Sequence, residues 1–158
     1  MLPENWLRQL EQTAPAVALR QGVWLYPAVE IVHIAAFVLA VGAVALFDLR
    51  LVGLARALPV APLARFLLPV AHSSFAAAAL SGLMLFAADA AALAANPAFR
   101  VKLTLIALAG ANAALLHAGP LRTVEQWTKV PPAARSMAVL SLLLWGAVLV
   151  CGRLIAYL

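Results

Sequence analysis

The sequence predicts an all-α integral membrane protein, a four-helix bundle preceded by a short N-terminal interfacial helix, and three observations carry that expectation. Hydrophobic residues make up 66% of the 158-residue chain and charged residues only 11%, with a mean hydropathy of +1.01, far from the balance of a soluble domain. Four apolar runs each reach the roughly 20 residues that a helix needs to cross a bilayer. The connections between them are short, so the whole chain, 1–158, reads as a single transmembrane domain.

The formal charge of +5 invites a nucleic-acid reading, but the lysines and arginines sit at the ends of the apolar runs. There they anchor spans and meet anionic lipid. The scattered aromatics offer no stacking platform, and nucleic acid is excluded as a partner. Cys151 is the one cysteine, which excludes an intrachain disulfide, a CxxC redox pair and CxxCH-type covalent haem attachment. The N-terminus lacks a basic region followed by a short apolar core and cleavage site. No removable signal peptide is expected, and the first span doubles as the targeting signal.

Residues 3–21, "PENWLRQLEQTAPAVALRQ", place Trp6, Leu7 and Leu10 among Glu4, Arg8, Glu11 and Arg20 at helical spacing. This predicts an interfacial helix broken at Pro15. A first span is predicted over 23–47, opened by Trp24 and Tyr26 as interface aromatics and closed where Asp48 and Arg50 return the chain to polar surroundings. Pro59 and Pro62 punctuate the next connection, with Pro62 suited to the first turn of a second span over 63–88. Asn96-Pro97 stops the small-residue stretch that follows, and a third span covers 101–118. "GPLRTVEQWTKVPP" is the clearest polar loop. A fourth span is predicted over 133–157 and carries Arg153.

Small residues recur along these spans: Ala35, Ala36, Ala40, Gly42 and Ala43 in the first, Ala76 to Ala79 and Gly82 in the second, Ala107, Gly110, Ala113 and Ala114 in the third. They permit close backbone approach in lipid and would equally leave room for a flat cofactor. An even number of spans puts both termini on one side. The loops on the other side hold Arg50, Arg56, Arg65, Arg122, Lys129 and Arg135, which by the positive-inside rule are cytoplasmic. The expected location is the bacterial inner membrane, with the termini periplasmic.

Ionisable groups within spans are costly and mark function by default. Five stand out: Glu30, His33, His72, His117 and Arg153. Glu30 and Arg153 lie near the same end of their spans, so a buried ion pair joining the first and fourth helices is expected. In the alternative, Glu30 carries a proton or orients His33.

The three histidines are the metal-ligand inventory. They fall on three different helices, and bis-imidazole haem ligation needs two that face each other at similar depth from separate helices. Depth favours His72 with His117, or His33 with His72. Arg65 on one side, or Arg100, Lys102 and Arg153 on the other, would meet haem propionates. A copper site built on Met84, Cys151 and histidine ranks below haem. Ser73, Ser74 and Ser81 lack a nucleophile elbow, and no phosphate-binding loop is present.

"YPAVEIVHIAAFVLAVGAVALFDLRLVG", "NPAFRVKLTLIALAGANAALLH" and "GRLIAY" together resemble a family of small uncharacterised bacterial four-helix membrane proteins. The plan also resembles the copper-resistance D membrane proteins and the haem-dependent membrane protoporphyrinogen oxidases, which likewise open with a span bearing a histidine. That resemblance implies a haem-linked redox role with His33 at the matching first-span position and His117 the next best match. It therefore ranks the histidines differently from depth, and all three stay candidates.

The resulting expectation is a non-covalent, b-type haem protein passing single electrons between a quinone or a partner and another redox protein, with a homo-oligomer also possible. A cofactor-free structural or transport-related subunit locked by Glu30 and Arg153 is the alternative. Whether the chain is an enzyme is left open.

Overall fold

The computed structural model describes residues 2–157, and among them the chain is helical with no strand. Two short helices, α1 (Leu2–Glu11) and α2 (Ala14–Gln21), lead into α3 (Leu25–Val52). Then come α4 (Val60–Ala88), α5 (Ala90–Ala95), α6 (Pro97–Ala118), a 3-10 segment (Pro120–Gln126) and α7 (Pro132–Leu154). α3, α4, α6 and α7 are long and apolar enough to cross a membrane. The fold is an all-α four-helix bundle of a multi-pass membrane protein.

The leader breaks at Gln12–Thr13 rather than at Pro15, which instead sits in the first turn of α2, where its missing N–H costs nothing. Thr13 Oγ1 donates to the Leu10 carbonyl at 2.7 Å and closes the end of α1. The leader also packs more tightly than a helix resting on lipid would, with Leu7, Ala16 and Leu19 buried against the ends of α3, α4 and α5. Two of its charged groups serve backbone there. Arg20 donates to the Ala88 carbonyl at the end of α4 at 3.0 Å. Glu11 accepts from the Ala91 N–H at the start of α5 at 2.8 Å, and each charge suits the helix end that it meets.

α3 runs five residues beyond the expected close at Phe47, through Asp48 and Arg50, and stops at Gly53. Gly53 has φ +126°, and the N–H of Leu54 returns to the Leu49 carbonyl at 2.9 Å, a Schellman-type ending that calls for glycine. Asp48 therefore does not return the chain to polar surroundings, since it is 2% exposed inside the bundle. α4 starts at Val60, with Pro62 in its first turn and Pro69 inside it. Asn96 caps α6 by accepting from the Phe99 N–H at 3.2 Å, and Pro97 occupies the first helical position.

The packing order is α4–α3–α7–α6. α3 lies against α4 and α7, and α7 lies against α6. Ala36, Ala40 and Ala43 of α3 and Ala64, Ala71 and Ala78 of α4 are buried, so small side chains let these backbones approach where lipid gives no hydrophobic drive. A shared core at the loop end joins Phe47 and Leu51 to Leu67, Leu116, Ala134 and Ala138. The ring of helices does not close, because no Cα of α4 lies within 8 Å of one in α6. Side chains alone bridge that gap.

Candidate functional site

Four helices send polar and aromatic side chains into the space between α4 and α6. At the loop end, the rings of His72 (α4) and His117 (α6) lie 5.2 Å apart, centroid to centroid, at 60°. His117 sits in the last turn of α6. Its Nδ1 lies 2.7 Å from the Ala113 carbonyl of its own helix. A carbonyl only accepts, so Nδ1 carries the proton and Nε2 is left with a lone pair. That Nε2 is buried and has no hydrogen-bond partner. His72 is exposed.

His33 occupies a different place. Its Nδ1 donates across the α3–α4 contact to the Ala78 carbonyl at 2.8 Å, with the Ser81 hydroxyl at 3.2 Å. The crossing depends on Gly82, where a Cβ would stand 2.9 Å from His33 Cε1. No imidazole faces His33. Its ring stacks on Phe37, centroids 6.4 Å apart, and Phe37 meets the edge of Trp145 on α7 at 6.1 Å. Trp145 meets Phe75 of α4 at 6.0 Å. An aromatic chain thus runs from His33 to one turn below His72. At the other end of the gap, Phe86 and Phe99 stack at 5.5 Å.

The other candidates are dispersed. Glu30 and Arg153 are both exposed and do not form the expected ion pair. The Arg153 guanidinium lies over the Tyr157 ring and donates to its hydroxyl, a partner one turn away that is reached without crossing to α3. The one ion pair among the described residues joins Arg65 to Glu125 at 3.5 Å, so the Arg65 charge is already met. Lys102 turns inward, with Nζ 5.7 Å from the Phe37 centroid. It lies about 22 Å along α6 from His117, fifteen residues at 1.5 Å each, out of reach of a group bound there. The same holds for Arg100, and Arg153 at that end of α7 belongs with them.

Met84 borders a groove between α3 and α4 beside Val32, while Cys151 lies near Lys102. They do not converge with a histidine into the expected copper set. Among the described residues, no three His, Cys, Asp or Glu side chains are grouped to hold a metal ion.

Sequence reasoning missed Asp48, Gly82 and Trp145. Asp48 faces the Ser141 hydroxyl on α7, yet its Oδ2 is buried without a partner. Its position in "FDLR" reads as a helix end, and only the helix periodicity continuing through Leu51 signals otherwise.

Comparison of the chain with protein-family models, curated proteins and solved structures finds no match.

Proposed function

We propose that this protein is a membrane-embedded b-type haem protein that uses His72 and His117 as its axial pair and passes single electrons between a quinone or partner and another redox protein. The observation that carries the reading is the buried, unpartnered Nε2 of His117 beside the His72 ring. The Nδ1–H bond to the Ala113 carbonyl fixes the tautomer and orientation of a ligating imidazole, as metal-binding histidines require.

The donor set fits haem better than a bare metal ion. Two imidazoles with no third His, Cys, Asp or Glu nearby are too few for a tetrahedral zinc or copper site. In number they suffice for haem, whose macrocycle supplies the remaining ligands and the redox chemistry; the two rings, in edge contact at 5.2 Å, must part to admit it. The side of the bundle left open between α4 and α6 is where the ring edge would enter. The protein's own part is to hold the two imidazoles, to surround them with apolar side chains, and to keep Phe75 and Trp145 packed below. The cofactor-free alternative relied on a Glu30–Arg153 lock, and Arg153 is instead engaged by Tyr157. By the positive-inside rule, we place the Arg50, Arg56 and Lys129 end in the cytoplasm of a bacterial cell and the termini outside.

A dithionite-reduced minus oxidised spectrum of the protein, purified in mild detergent after expression with ample haem, tests this. Soret and α-band changes are expected. His72→Ala and His117→Ala should each lose them, whereas His33→Ala should keep full haem loading. An absent difference spectrum in the wild type sinks the proposal.

A further inference from the structure

At the same loop end of the bundle, and lined by no histidine, a cavity of about 640 Å³ opens between the end of α3, the start of α4, the 3-10 segment and the first turn of α7. Arg50, Arg56, Lys129 and Arg135 all line it, and Glu125 is the one acid. Glu125 is committed to Arg65. Four cations thus share one concavity with no carboxylate paired to any of them among the described residues.

Two of these cations are held in place by backbone. Arg50 Nε donates to the Leu58 carbonyl at 2.6 Å and its Nη2 to the Arg56 carbonyl at 3.3 Å. Arg56 Nε donates to the Gly53 carbonyl at 3.0 Å. Arginine has further N–H groups in a rigid fork, so both remain able to donate outward. α4 and α7 both begin at this cavity, and neither has a side-chain cap. Their first-turn N–H groups and positive dipole ends add to a field that favours an anion.

We infer that this cavity binds the phosphate of an anionic phospholipid headgroup. The charge calls for a phosphate, and the surroundings call for a lipid. The cavity lies where apolar spans end, at headgroup depth, and it is also lined by Val60, Val124, Val130 and Trp127, which suit a glycerol backbone and the first acyl carbons. Leu54 and Leu58, in the loop beside it, are exposed. Basic pockets between spans recognise lipid headgroups by this combination.

The test uses the full chain in mixed micelles containing equal phosphatidylglycerol and phosphatidylcholine, with retained lipid counted by native mass spectrometry. Phosphatidylglycerol should be retained over phosphatidylcholine. Lys129→Gln and Arg135→Gln remove side chains that, unlike Arg50 and Arg56, hold no loop carbonyl. Each should lower the retention ratio about fivefold with helix content unchanged, while Arg135→Lys should keep it. Arg100→Gln, at the opposite end of the bundle, should leave the ratio as it is. No headgroup preference, or equal losses in Arg100→Gln and Lys129→Gln, overturns the inference. Displacement of phosphatidylglycerol by inorganic phosphate, but not by chloride at the same ionic strength, would assign the cavity to free phosphate and overturn the lipid.

Discussion

His33 reaches the Ala78 carbonyl only because position 82 has no side chain, so the two residues act as one device on opposite helices. Gly82→Ala would put a methyl 2.9 Å from His33 Cε1, force the imidazole aside and break that hydrogen bond. The expected loss is about 1–3 kcal/mol, read as unfolding in detergent with rising sodium dodecyl sulfate. His33→Ala removes the same bond, so the double variant should lose little more than His33→Ala alone. Additive losses would show that the residues act separately. This pairing was beyond the sequence. Ionisable residues inside spans can be picked out by type, but the partner of each depends on the rotation of two helices about their axes. The same limit explains Glu30 and Arg153, whose similar depth gives no information on face. It also explains why depth left two histidine pairings open.

Charge alone misplaces a helix end, whereas backbone chemistry marks one. Asn96-Pro97, taken from the sequence as a stop ahead of a span starting at 101, carries both an N-cap side chain and a proline suited to the first turn, and α6 begins there, four residues earlier. Asp48 and Arg50 look like the end of α3, but they continue its helix because Phe47 and Leu51 on either side of Asp48 are both buried at the shared core. An aspartate can be carried inward when its neighbours on the same face pack well. Asn96 has a second task, since its Nδ2 donates to the Ile155 carbonyl at 3.3 Å and so ties the start of α6 to the end of α7. Asn96→Ala should therefore cost more than the roughly 1 kcal/mol of a lost cap. Asn96→Asp, which keeps the acceptor and loses the donor, should recover the cap share. Hydrogen exchange at the amides of residues 98–100 would separate the two, with protection lost in Asn96→Ala and retained in Asn96→Asp.

On the scale of the whole bundle, the number of spans follows from apolar length, whereas the order in which they pack does not, because lipid-exposed and buried faces are equally apolar. The result is a ring left open between α4 and α6, and its middle depends on few side chains. Trp145 of α7 joins three elements there, with Phe37 of α3 and Phe75 of α4 both packed edge-on against it. Replacing a fully buried tryptophan by alanine typically costs about 3–5 kcal/mol. Trp145 is only half-buried, so a loss of about 2 kcal/mol is expected for Trp145→Ala, and much less for Trp145→Phe, which keeps an aromatic face for both partners. The effect should be cooperative across the molecule rather than local. With α4 and α6 joined only through side chains, freeing Phe75 also loosens the turn that holds His72, so under the proposed haem ligation Trp145→Ala should lower haem loading along with stability. A Trp145→Ala protein that unfolds at the wild-type detergent midpoint would show that the ring is held by the loop-end core alone.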